Sequence, residues 1–261
     1  MTTTQAPTDG QITGNVLMYG SPEPLSAELH GKLGLVPSDT PYAFASAASA
    51  VPLQVTEFGP ASLSYPVIFG GESYQPLAVM SIRPNENLFI SPDGRFEPTA
   101  YVPAFIRRYP FVLANDDVSQ RLIVCIDRTA SFIKEGGEVA MFANGEPTEY
   151  TKNAIQFCQD FETERQRTDN FVKLLRDLDL FETKQAMFTP SNPDGSVGEP
   201  VQVAEYYAVA EEKLAKLSAE KLAELRDTGA LSQIYAHLTS LFGWDRLITR
   251  TLLNAPQVGN A

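Results

Sequence analysis

One short segment holds most of the residues that could recognise a charged ligand. It reads YVPAFIRRYPF, begins at Tyr101, and places Arg107 and Arg108 side by side, with Tyr109 directly after them. Guanidinium groups bind carboxylates and phosphates through paired hydrogen bonds, and they also stack on aromatic rings. Three roles therefore remain open for the two arginines: ion pairs with internal carboxylates, stacking on Tyr101 or Tyr109, or contact with an acidic group of a partner.

A carboxylate forms the second candidate site, at the end of the most apolar predicted strand. The strand RLIVCID ends at Asp127, and Thr129 follows it closely. A carboxylate at a strand end could act as a general acid or base, or it could cap the turn after the strand. Cys125, inside the strand, is expected to be a small buried apolar residue rather than a reactive thiolate. The sequence predicts no catalytic residue. The candidate binding residues are Tyr101, Arg107, Arg108, Tyr109 and Asp127.

Metal and cofactor motifs do not occur in the sequence. Its two histidines, His30 and His237, lie far apart, and so do its two cysteines, which leaves no zinc pattern. No nucleophile motif or glycine-rich phosphate loop is found. We expect His237 to be a packing histidine on a C-terminal helix, and we predict neither a metal nor a cofactor.

The charge balance limits the possible partners. The chain has 261 residues and a net charge of −12. Its pI is near 4.6, so phosphate backbones would repel it, and we predict no nucleic-acid partner. Residues 60–135 contribute only −1 of this charge, and six of their seven bases are arginines. The predicted partner is a protein, or a peptide or glycan.

Predicted elements divide the chain along its length. Residues 1–50 are rich in Thr, Pro, Gly, Ser and Ala and predict an extended arm, with one strand within Gln11–Leu17. Residues 51–150 predict a β-rich core, in which Ser91-Pro92-Asp93-Gly94 and Asn144-Gly145 reverse hairpins. The predicted strands are Leu53–Phe58, Pro66–Phe69, Leu77–Ile82, Asn87–Ile90, Arg121–Asp127 and Glu138–Phe142.

Helical spacing of apolar residues begins after about residue 150. Residues 151–254 predict a helical part that belongs to the same structural unit as the β-rich core, and 255–261 form a tail. The helical part holds two amphipathic stretches before residue 178, a returning strand at Val201–Val209, a helix capped by Ser218 and closed by Gly229, and a last helix at Trp244–Leu253. The expected fold is α+β: a curved, mainly antiparallel sheet with the helical C-terminal part packed on it.

No segment has the properties of a membrane span. The longest uncharged run is Thr40–Thr56, which is too short and too polar to cross a bilayer. The first residues contain neither a basic nor an apolar stretch, so we expect no Sec signal and a cytoplasmic location, with export by another route left open.

Several motifs in order resemble the SapC family, which is named for a surface-array (S-layer) locus. They cover about residues 50–250 and comprise LQVTEFGPASLSYPVIF, ENLFI with the hairpin after it, YVPAFIRRYPF, LIVCID and LAELRDTGALSQIYAHLTSL. Family members are labelled from S-layer-associated to peptide transport proteins. Many are encoded near TonB-dependent receptors, cupin-like hydroxylases and flavin-dependent halogenases. The resemblance implies no catalytic residue, and the lack of a membrane span contradicts a permease.

These observations favour a non-enzymatic binding or accessory protein of a bacterial surface or nutrient (peptide or glycan) uptake locus. One alternative is an enzyme, or the partner of one, that modifies a peptide or glycan with strand-end carboxylates such as Asp127. Another is an S-layer structural protein. The oligomeric state is left open.

Overall fold

The computed structural model describes residues 17–116, 121–190 and 196–254. These residues form strands and helices, and every strand pairing among them is antiparallel, which confirms the α+β class. The predicted strand at Gln11–Leu17 lies, except for Leu17, outside the described residues. In the described part of the chain, no helix is long and apolar enough to cross a membrane.

The strands are short before residue 181 and longer after it. Their bounds are β1 Pro22–Pro24, β2 Leu33–Leu35, β3 Ala50–Pro52, β4 Val67–Gly70, β5 Gln75–Val79, β6 Phe111–Asp116, β7 Arg121–Asp127, β8 Ile133–Glu135, β9 Val139–Ala140, β10 Phe142–Ala143, β11 Glu146–Pro147, β12 Phe181–Phe188 and β13 Val201–Val209.

The helices vary from a single turn to the long α4. Their bounds are α1 Ala27–His30, α2 Phe58–Ser62, α3 Ala104–Arg107, α4 Glu149–Asp177, α5 Glu211–Ala215, α6 Ala219–Asp227, α7 Ala230–Ser240 and α8 Trp244–Leu253. Short 3-10 turns lie at Ala43–Ala45, Val55–Glu57 and Leu241–Gly243.

The chain forms two compact units, each assembled from separate segments. The first contains the described residues of 1–38 and 108–162, and the second those of 39–107 and 163–261. This division differs from the predicted boundaries at residues 50 and 150, because each unit joins an early segment to a later one. Helix α4 contributes residues to both units.

In the first unit, β7 is the central strand of a small sheet with the order β1-β7-β6. Only one end of this strand is buried. Arg121 and Leu122 at its start are exposed, whereas Cys125 to Asp127 at its end are buried. A second sheet has the order β8-β2-β9. Residues 17–38, which belong to the predicted arm, supply β1, α1 and β2 to this unit.

In the second unit, five strands form one sheet with the order β12-β13-β4-β5-β3. Strand β13 returns to the sheet as predicted, pairing with β12 along its length and with β4. The structure therefore distributes the strands among separate sheets, where the sequence predicted one curved sheet. Strand β12 was not predicted, because its alternating charged residues lack the apolar pattern of a buried strand.

Two predicted strands are wrong. Leu53–Phe58 contains a 3-10 turn followed by the start of α2, because Gln54 and Glu57 form a capping box that favours a helical turn. Asn87–Ile90 is irregular, and only Ile90 forms a bridge, with Phe96 across the predicted reversal. The two amphipathic stretches before residue 178 are one helix, α4, because no Gly or Pro interrupts them.

Local turn and cap chemistry is confirmed where a specific residue type is needed. Asn144 and Gly145 join β10 to β11 with φ values of 53° and 82°, which suit a two-residue hairpin turn. Ser218 caps α6 by accepting a hydrogen bond from the Lys221 amide. Gly229 has a positive φ between α6 and α7, as its predicted role requires.

His237 joins two neighbouring strands of the five-stranded sheet. It is fully buried on α7. Its Nε2 accepts a hydrogen bond from the Val209 amide at 3.1 Å, and its Nδ1 donates to the Val67 carbonyl at 2.8 Å. The β4–β13 pairing has a single register pair, Tyr207 with Phe69, so the imidazole supplements a short ladder. The expected packing role is confirmed, and burial lowers the pKa of His237 to about 4.

The neutral ring makes stability dependent on pH. The histidine pKa is 6.5 when unperturbed and about 4 in the fold, so the unfolded chain takes up a proton first as the pH falls. We expect the His237 contribution to be complete above pH 6.5 and to decrease by roughly 3 kcal/mol by pH 4. His237→Gln retains a donor and an acceptor, so it should not show this step. Urea unfolding of both proteins from pH 7.5 to pH 4 measures the difference, and equal pH slopes would contradict the assignment.

Candidate functional site

The arginine-aromatic segment is divided between the two units. Tyr101 and Arg107 belong to the second unit, whereas Arg108, Tyr109 and Asp127 belong to the first. Pro103 precedes the single-turn helix α3, and Pro110 precedes β6, so both prolines lie at element boundaries. The five candidate residues therefore form two separate groups.

The first group is organised by Glu57, a carboxylate that the sequence analysis did not identify. Its side chain is buried and accepts hydrogen bonds from the Tyr101 hydroxyl at 2.8 Å and the Ala104 amide at 2.7 Å. It also accepts from the Gln54 amide at 2.9 Å, which completes the capping box. The Gln-x-x-Glu spacing at 54–57 is the sequence signal that could have revealed it.

Arg107 lies at the surface of this group. Its Nη2 donates to the Tyr101 hydroxyl at 3.2 Å and lies 3.9 Å from Glu57 Oε1, while its Nε donates to the Val102 carbonyl. The guanidinium is also 5.9 Å from the centre of the Tyr101 ring. Burial and the nearby Glu57 carboxylate raise the pKa of Tyr101 to about 12, so the phenol stays protonated. With 44% of its side chain exposed, Arg107 can still contact a partner.

Arg108 points into the first unit. Its guanidinium lies 4.4 Å from the centre of the Phe161 ring and 5.9 Å from that of Tyr19. Burial lowers the pKa of Arg108, although no accessible pH would neutralise a guanidinium. The stacking alternative is therefore observed for Arg108, on rings other than those expected.

Asp127 holds together the loop that precedes β1. Its two carboxylate oxygens accept hydrogen bonds from the amides of Gly20, Ser21 and Thr129 at 2.8–3.0 Å, and from the Thr129 hydroxyl at 2.7 Å. The Tyr109 hydroxyl donates to it at 3.3 Å. Burial opposes ionisation, but these hydrogen bonds outweigh it and lower the pKa of Asp127. The carboxylate is thus an ionised structural anchor, the turn-capping role that the sequence left open.

The remaining reactive residue types are also engaged in the fold. Cys125 and Cys158 are buried, and burial raises the pKa of each thiol to about 11, which suppresses the thiolate. His30 lies in α1, and its Nε2 is 2.8 Å from the Glu23 carboxylate. Across the described ranges, no three His, Cys, Asp or Glu side chains come together in a way that could hold a metal ion.

A concave surface of about 680 Å³ lies in the second unit, and we call it the Arg95–Arg250 basin. Its apolar part includes Tyr42, Phe89 and Phe96, and the Tyr42 and Phe96 rings pack edge to face at 5.5 Å. The ENLFI segment and the hairpin after it supply most of the lining. The volume lies within the range of small-ligand and peptide side-chain pockets.

Two ion pairs give the basin its polar groups. Arg250 Nη1 lies 2.5 Å from Glu97 Oε2, its Nη2 donates to the Leu88 carbonyl at 2.6 Å, and its guanidinium lies 4.6 Å from the Phe89 ring centre. Arg95 Nε lies 3.1 Å from the Asp93 carboxylate in a more exposed pair. The basin therefore offers fixed donors and acceptors beside an apolar wall, an arrangement that orients a bound ligand.

A smaller pocket of about 300 Å³ lies elsewhere in the second unit. Its lining includes Phe171 and Leu174 of α4, which are apolar, together with Arg167, Asn170 and the start of α7. It contains none of the candidate residues from the sequence analysis.

A family model described as SapC matches residues 25–247, which is most of the chain. The chain belongs to the SapC family. No curated protein and no solved structure matches it. The matched range includes Glu57, Tyr101, Arg107 and Asp127 but ends before Arg250, and it confirms the resemblance seen in the motifs.

The anchor role of Asp127 can be tested by a neutral isostere. Asp127→Asn replaces an acceptor oxygen with a donor beside several N–H groups, so we expect a loss of about 2–4 kcal/mol in unfolding free energy. Asp93→Asn, at an exposed carboxylate, is the matched control and should change stability by less than about 0.5 kcal/mol. Thermal and urea unfolding measure both. A stable Asp127→Asn protein would contradict the anchor and restore Asp127 as a candidate for chemistry.

Proposed function

We propose that this SapC-family protein is a non-enzymatic binding or accessory protein of a bacterial surface or nutrient uptake locus. Its partner is a protein, or a peptide or glycan, that presents acidic groups. The recognition surface belongs to the second unit and consists of the Arg95–Arg250 basin together with Arg107 and Tyr101. Arg108, Tyr109 and Asp127 belong to the first unit, and we assign them structural roles there.

The observation that carries the proposal is the basin, in which Arg250 is anchored and Arg95 is exposed. Arg250 is held by an acceptor on each side and by the Phe89 ring, so little side-chain entropy is lost when it meets a ligand. Arginine is the side chain best suited to planar contact with carboxylates. Residues 60–135, with a net charge of −1, repel acidic groups less than the rest of this acidic chain does.

The basin and the Glu57 group are connected through one buried residue. The Tyr65 ring packs edge to face on Phe89 at 4.6 Å, and its hydroxyl donates to the Tyr101 carbonyl. Tyr65 is fully buried, which fixes both neighbours on the same rigid support. A partner that fills the basin and reaches Arg107 would meet a preorganised surface.

The alternative of an enzyme that uses Asp127 receives less support. A general acid or base must be able to exchange a proton with substrate, but the Asp127 oxygens already accept five hydrogen bonds and the side chain is buried. The raised thiol pKa values likewise disfavour either cysteine as a nucleophile.

Affinity purification of the tagged protein from its native host tests the proposal. We expect Arg107→Ala and Arg95→Ala each to reduce recovery of the specific partner about tenfold, since each removes a charge-assisted contact. Arg226→Ala is the control, because Arg226 is about as exposed as Arg95 and pairs only with its neighbour Asp227 among the ion pairs described. Melting temperatures should stay close to wild type, because surface ion pairs add little stability.

The outcomes separate the possible roles. Equal recovery by all three variants would contradict the assigned recognition surface. Chemical conversion of the purified partner by wild-type protein would contradict the non-enzymatic role. A large decrease in melting temperature for Arg107→Ala would make Arg107 a structural residue.

A further inference from the structure

Strand β12 is an edge strand of the five-stranded sheet. It pairs with β13 on one side, and among the described residues no strand pairs with its other side. Exposed edges are places where another strand can add, because their amides and carbonyls face outward.

The hydrogen-bond pattern identifies the outward backbone groups. The Ala210 amide donates to the Leu180 carbonyl at 2.8 Å, so residues 180, 182 and 184 direct their backbone groups toward β13. Residues 181, 183 and 185 then direct theirs outward. The Phe181 carbonyl is already bound by Lys213 Nζ at 2.9 Å. Thr183 and Gln185 are exposed, which leaves a short ladder open to another strand.

The side chains beside this ladder carry opposite charges two residues apart. Glu182 and Lys184 point to the same face, and their charged atoms lie 3.1 Å from each other. A register irregularity between Ala186 and Met187 ends the regular stretch of the strand, and such irregularities are common at sheet edges. The usable edge is therefore Phe181–Gln185, with Thr183 at its centre.

We propose that a second copy of this chain adds to β12 in antiparallel orientation, with Thr183 opposite Thr183 of the second copy. In that register each Glu182 lies opposite Lys184 of the other copy, so the twofold arrangement gives two cross-strand ion pairs. The two outward groups of each Thr183 close a pair of hydrogen bonds. The two sheets then form one continuous sheet of ten strands.

The charge pattern selects a second copy as the occupant. The order Glu-Thr-Lys is complementary to itself when the strand is reversed, so the same five residues satisfy both sides. A parallel addition would not place the two signs opposite each other. Because the contact is short, we expect a reversible dimer with a dissociation constant on the order of 10 µM.

Charge reversal tests the register directly. Sedimentation velocity of wild type from about 1 to about 300 µM should show a monomer–dimer equilibrium. Lys184→Glu places four acidic groups at the contact, and Glu182→Lys places four basic ones, so each should weaken self-association at least about tenfold. A mixture of the two variants should form a heterodimer, because every facing pair is then opposite in charge. Lys173 is an exposed residue of α4. Lys173→Glu makes the same change in net charge as Lys184→Glu and should leave the dimer intact.

Two further measurements do not depend on the folding of charge variants. Thr183→Pro removes an outward amide and no β13 hydrogen bond, so it should abolish the dimer while the fold persists. In wild type, amide exchange at Thr183 and Gln185 should slow as concentration rises, while Glu182 and Lys184 stay protected throughout. A monomer at all concentrations, a dimer unchanged by Thr183→Pro, or assembly that continues past the dimer would each overturn the proposal.

Discussion

The buried carboxylate of Glu57 is the constraint on which the conformation of the segment from Tyr101 to Arg107 depends. The chain from Tyr101 to Arg107 forms only one helical turn, so it has few hydrogen bonds of its own to fix its position. Glu57 supplies them by binding the Tyr101 hydroxyl and the Ala104 amide, while it also closes the turn that begins at Gln54. A buried carboxylate without hydrogen bonds would reduce stability. These donors therefore stabilise the Glu57 charge, and the charge in turn fixes the positions of the donors.

The same principle explains why the residues with catalytic potential have structural roles. Asp127 accepts hydrogen bonds from amides of a loop and of the residues after its strand. His237 provides one donor and one acceptor between two strands. Each is a polar group in a buried location, where every hydrogen-bonding atom must find a partner. In the described part of the chain, the features left as candidates for function lie at the surface. They are the Arg95–Arg250 basin and the open edge of β12.

These surfaces are the basis for the proposal that this SapC-family protein binds a partner. Binding of acidic groups requires arginines that are held in place but not fully neutralised, and Arg250 and Arg107 each combine a fixed position with partial exposure. Dimerisation through β12 would present two basins from one assembly, which increases the avidity for a partner with repeated sites. The acidic remainder of the chain keeps such an assembly soluble.

Wherever a local rule sufficed, the sequence alone was enough: the α+β class, β7, β13, α8, the Asn144-Gly145 turn and the family motifs were all predicted from it. Positive φ values, caps and apolar periods involve only neighbouring residues, so the sequence determines them. The tertiary structure alone decided that polar β12 forms a strand, and that Arg107 joins Glu57 while Arg108 stacks on Phe161. These outcomes depend on partners distant in sequence, whose burial and hydrogen bonds outweigh local preference.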